Sequence, residues 1–135
     1  MVKRGSSIGF LGRFGRSEDL RLLDAALEQA GLAAAAIPEG VKLAAVGLMV
    51  DGNAPEPPPA AYRPVGDMMA FCALGEQAFA RRHGAAGVAT LAARMEAAIA
   101  AGDGADARII LLMLHAGLID PELLDSYGIE AEREE

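Results

Sequence analysis

A chain of 135 residues with a net charge of -7 and a single cysteine has the length of one domain, and enough of it to bury a core without disulfide or metal support. Its charge repels polyphosphates and argues against nucleic-acid binding, and its lone cysteine excludes an intrachain disulfide. Hydrophobic residues make up 53% but aromatics only 4%, so the core must be built from Leu, Ile, Val, Met and Ala, which favours helix on helix. The predicted fold class is all-α: a single-domain irregular helical bundle over 1–135, with five substantial helices and one or two short ones.

The chain opens on a Gly/Arg/Phe lead segment, 1–17, which contains GFLGRFGRS at 9–17. Its glycines have neither the P-loop nor the dinucleotide-loop spacing, and no strand precedes them. Phe10, Leu11 and Phe14 are expected to plug into the core while the glycines turn the chain. The competing reading is an anion or partner site in which Arg13 and Arg16 join the amides at the start of the first helix. Ser17 is the expected N-cap, with Glu18 and Asp19 on the favourable side of the helix dipole. Leu20, Leu23, Leu27 and Ala30 then mark one face of a helix over 18–30, and Gly31 with Leu32 forms a Schellman ending.

Pro38 and Glu39 open a second helix running to Val50. It is apolar nearly all round, which predicts a central position. The segment 51–64 holds five of the seven prolines and is expected to be a Pro-rich loop. Beyond Pro64, Met68, Phe71, Cys72, Gly75, Ala78 and Phe79 share a helical face that ends at Arg81, Arg82, His83 and Gly84. Gly75 predicts either a bend or the close packing of another backbone. Val88, Leu91, Ala92, Met95 and Ile99 mark an amphipathic helix that stops at Gly102. Asp103 is the expected cap of the next helix, with Asp106 in a box-like arrangement. That helix, 105–116, is apolar all round, is predicted to be central, and ends at Gly117. Asp120 and Pro121 start a short helix, PELLDSY, closed by Gly128, and 129–135 reads as an acidic tail. The most apolar run, 109–119, is about half the ~20 residues a membrane helix requires. No membrane association is expected, and the buried-looking thiol fits a cytoplasmic protein.

Chemistry-bearing residues are few. Cys72 lies in an apolar run beside Glu76, and a carboxylate works against thiolate formation, so an inert core thiol is expected. His83, at a helix end, suits the dipole there. His115 follows Arg108 by seven residues, which puts both near one face of the 105–116 helix. The Arg108 end is expected to reach solvent and the His115 end to go deeper, a gradient that would suit a small anionic ligand. No catalytic residue, metal site or cofactor is indicated: two histidines and one cysteine are too few for structural zinc, and no Glu-x-x-His pair occurs.

The segments GFLGRFGRSEDLRLLDAAL, PEGVKLAAVGL and FCALGEQAFARRHG resemble a small family of uncharacterised all-helical proteins encoded in GC-rich bacteria. The resemblance covers most of the chain and implies no activity. The residues point to a non-enzymatic interaction or regulatory module with a protein partner or a homo-oligomer. The alternative is a small anionic ligand-binding protein or weak enzyme with a pocket near His115 and Arg108. Nucleic-acid binding through Lys3, Arg4, Arg13 and Arg16 is disfavoured by the net charge.

Overall fold

The computed structural model describes residues 7–52 and 57–129, with side chains over 18–50 and 57–129. These residues form five α-helices and no strand: α1 Ser7–Ala30, α2 Glu39–Gly52, α3 Tyr62–Ala101, α4 Ala105–His115 and α5 Pro121–Tyr127. Short 3-10 turns at Ala34–Ala36 and Pro59–Ala61 precede α2 and α3. The all-α bundle expected from composition is therefore what the chain forms.

Two boundaries differ from expectation. α1 starts at Ser7, so Ser17 lies inside it and is not its cap. Glycine lowers helix propensity by about 1 kcal/mol without forbidding the helix, and a serine's capping preference does not stop a helix that can continue. The roles expected of Phe10, Leu11 and Phe14 fall on side chains outside the described ones. The Pro-rich loop is also shorter than 51–64. α2 reaches Gly52, and α3 starts before Pro64, whose missing N–H falls in the first turn, where it has no helical partner.

The central helix is α3, which makes its most extensive contacts with α1 and α4. Met68, Met69, Ala70, Phe71 and Cys72 are all fully buried, a run that only a helix covered on every side can produce. Neither of the two helices expected to be central is so. Among the described side chains of α2, Lys42, Ala45 and Val46 are buried, and α4 leaves Leu111 49% exposed. Composition does not set this order, since α4 is rich in Ile, Leu and Met and α3 in Ala; α3 is central because α1, α4 and α5 all pack on it. Polar ties fasten α1 to its neighbours. Lys42 donates to Asp24 Oδ1 at 2.9 Å and to the Ala34 carbonyl at 3.2 Å. Tyr62 donates to Asp19 Oδ1 at 2.9 Å, and burial, then that carboxylate, pushes its phenol up to about 12.

α3 breaks twice, at Gly75 (φ 85°) and Gly84 (φ 74°), so that it runs as segments 62–74, 76–83 and 85–101. At Gly75 the expected bend is present, and what approaches closely is a side chain and not another backbone. The backbone takes a conformation that side chains disfavour, and a Cβ there would lie 2.8 Å from Asp120 Oδ2. Asp120 also donates its N–H to the Cys72 carbonyl at 2.8 Å and caps α5 by accepting from the Glu122 N–H at 3.0 Å. One residue thus starts α5 and seats it against the break.

Helix ends follow local rules. Gly31 donates to the Glu28 carbonyl and Leu32 to that of Leu27, the paired bonds of a Schellman motif. The same pair recurs with Gly117 and Leu118, and with Gly128 and Ile129. The start of α4 departs from expectation: its N-cap is Gly104, with no side-chain cap. Asp106 instead forms a two-pronged ion pair with Arg94 at 2.6 and 3.0 Å, because a guanidinium fork offers a carboxylate more than one backbone amide does. Arg94 also donates to the Pro64 carbonyl at 3.0 Å, joining both ends of α3 to α4.

Candidate functional site

The candidates named from sequence are not brought together. Arg13 and Arg16 lie in α1, but their side chains are outside the described ones. Arg108 and His115 are both exposed on α4, so the expected gradient, with His115 deeper, is not present. Leu114 and Met113 turn inward at that end of α4, and His115, its last residue, turns out. Arg108 borders a cavity of about 250 Å³ lined by Leu48, Met49, Val65 and Ile109, which His115 does not reach. Two acidic groups of the bundle pair elsewhere: Asp106 with Arg94, and Asp67 with Arg63 at 3.8 Å.

His83 has a definite role, on a different helix from the one expected. Its Nε2 lies 2.7 Å from the Ala30 carbonyl, and Arg82 Nε donates to the Gln29 carbonyl at 3.2 Å. These are last-turn carbonyls of α1 that its Schellman ending leaves open. The imidazole stacks on Phe79 at 4.2 Å, so His83 is a capping group held by packing.

Cys72 is fully buried, and burial, then Asp106, pushes its thiol up to about 12, against the lowering effect of Arg94. At pH 8 roughly one thiol in 10⁴ is ionised even before access is considered. A disulfide reagent at that pH is therefore expected to leave native Cys72 unmodified and to titrate one thiol after denaturation. Rapid labelling of the folded protein would contradict this. Among the described residues no cluster of three His, Cys, Asp or Glu could hold a metal ion, and no helix is long and apolar enough to cross a membrane.

The distinctive surface lies elsewhere. Among the described residues the two large apolar side chains that remain exposed are Ile99, at 43%, and Leu111, at 49%. They flank one groove of about 210 Å³ between the last segment of α3 and α4, floored by Ala98, Ala107 and Ile110 and closed at one end by Leu114 and Ile129. Ile99 is on the face that the amphipathic pattern assigned to the core. It is left half out because α4 crosses nearer Ala98 and Met95, both buried.

Polar residues recur along both helices outside the lining of this groove. On α3 and the turn after it, Glu96, Ile99 and Asp103 occur at i, i+3 and i+7, and on α4 Arg108, Leu111 and His115 occur at the same spacing. All six are exposed. Residues three, four and seven apart share a helix face, which puts Leu111 between Arg108 and His115 on α4, whereas Asp103 lies beyond the left-handed Gly102 that ends α3. The spacing is readable in the sequence, but the exposure that gives it meaning is not.

Comparison with protein-family models, with curated proteins and with solved structures gave no match, so the chain's own geometry carries the functional argument.

Proposed function

We propose that this protein is a non-enzymatic interaction module that docks a protein partner on the groove between α3 and α4. The observation that carries this reading is the pairing of Ile99 and Leu111, 43% and 49% exposed on adjacent helices, across an apolar groove. A buried apolar centre with a polar rim is the usual anatomy of a docking face. A non-enzymatic role accords with the state of the chemistry-bearing side chains: the Cys72 thiol is buried, and His83 is engaged by α1. Arg108 and His115 lie exposed on α4, Arg108 at the separate cavity against α2. A reduced buried thiol fits a cytoplasmic setting, and a net charge of -7 favours a protein over a nucleic acid as partner.

The test is affinity capture from a native lysate with the full chain as bait, quantified by mass spectrometry. Leu111→Glu and Ile99→Glu are expected to lose the captured protein, since each puts a charge at the centre of the face. Arg81→Glu, beside Gly31 and Leu74, is expected to retain it. Capture indifferent to both groove substitutions, with unchanged circular dichroism, would refute the assignment of this face.

A further inference from the structure

We propose that the cavity between α2, α3 and α4 binds a small carboxylate with a short apolar body, held at its charged end by Arg108. The site lies apart from the docking groove and does not rest on the interaction reading. α4 separates the two: Arg108 and Ile109 line the cavity, whereas Ile110, Leu111 and Leu114 line the groove.

The walls decide the ligand's body. Leu48 and Met49 from α2 and Val65 from α3 enclose about 250 Å³ together with Ile109. The first three are only half-buried, so apolar surface is left facing the space. A water molecule held there wants about three polar partners, which such walls do not supply. An apolar group that displaces poorly held water gains affinity. The volume corresponds to roughly eight water-sized groups, which limits the ligand to about that many heavy atoms. An entrance lies at Gly104 and Ala105, both exposed lining residues. Gly104 has a φ of 103°, a conformation suited to glycine, and a Cβ built on it would meet nothing within 4 Å.

Arg108 decides the head. It is the one charged side chain among the described lining residues, and no ion pair among the described residues engages it. The carboxylate nearest to it in sequence, Asp106, closes on Arg94 at 2.6 Å. An uncompensated guanidinium at the edge of an apolar space favours an anion, and its fork matches the two oxygens of a carboxylate. One cation answers one negative charge, so a monocarboxylate suits the site better than a phosphate dianion. Apolar walls with a single orienting polar group are the usual make-up of a small-ligand pocket.

Hexanoate matches this size and is the probe, with hexanol as its uncharged counterpart. Titrated into the isotope-labelled full chain to about 10 mM, hexanoate should shift the methyl resonances of Leu48, Met49 and Val65 saturably and leave those of Leu111 in place. Hexanol should bind about 10-fold more weakly, because it lacks the charge. Arg108→Gln should weaken hexanoate by about 10-fold and leave hexanol unchanged. Ala105→Leu, a change at an exposed position outside the core, should obstruct the entrance and weaken both. Absence of saturable shifts at Leu48, Met49 and Val65 overturns the proposal. So does equal affinity for hexanoate and hexanol, or hexanoate binding indifferent to Arg108→Gln or to Ala105→Leu. Shifts centred on Leu111 put the probe in the docking groove and overturn it as well. Partner capture reads a different face of α4, so failure of this site leaves the interaction module standing.

Discussion

Phe71→Ala is expected to remove about 3–5 kcal/mol of folding stability, a large share of the 5–15 kcal/mol typical of a domain. Phe71 is fully buried on the first segment of α3, and its ring meets Phe79 edge to face at 5.3 Å and 85°. Phe79 in turn stacks on His83, which holds the last turn of α1. The cavity therefore opens beside the contact that supports the capping group. Chemical denaturation in urea should show a lower midpoint with an unchanged slope, the sign of lost stability without a changed denatured state. Leu111→Ala, at a half-exposed position, should cost under about 1 kcal/mol in the same experiment. Equal effects at the two positions would mean that the core is not centred on α3.

Gly66→Val is expected to cost roughly 3 kcal/mol through the closest helix crossing in the bundle core. A Cβ at Gly66 would stand 2.7 Å from the Ala26 Cβ and 2.8 Å from the Ala26 carbonyl carbon. The second contact is backbone, so no rotamer change relieves it, and α1 must move off α3. Gly66→Ala gains about 1 kcal/mol of helix propensity, which offsets part of the clash, and should fall between wild type and valine. Ala26→Gly removes the first contact but not the second, so combining it with Gly66→Ala should restore stability only in part, a coupling that a double-mutant cycle would read. Full stability in Gly66→Val would show that the two helices are not in contact at this point.

The candidate face was half visible before folding. Arg108 and His115 stood out as polar residues on an apolar helix, and their spacing placed them on one side of it. Their expected purpose, a pocket with His115 at its deeper end, does not match their exposure on α4. Leu111 was hidden among its apolar neighbours, and Ile99 among core positions. A hydrophobic pattern records which face of a helix is apolar, not how much of that face a neighbour covers. His83 was likewise assigned to its own helix end, because no local signal can announce an acceptor at Ala30, 53 residues away in the chain.

What the amino-acid sequence determined by itself is the glycine-closed helix ends and the start of α5. The Schellman bonds at Gly31, Gly117 and Gly128 and the Asp120 cap of α5 each close within six residues, and the break at Gly84 is equally local, so residue type at a few adjacent positions suffices. Tertiary structure alone decided the rest: that α3 and not α2 or α4 occupies the centre, that Asp106 turns to Arg94 in preference to capping α4, and that Ile99 and Leu111 remain uncovered. Those outcomes depend on which helices meet, and close approaches such as Gly66 on Ala26 fix that meeting between residues far apart in the chain, where packing outweighs any local preference.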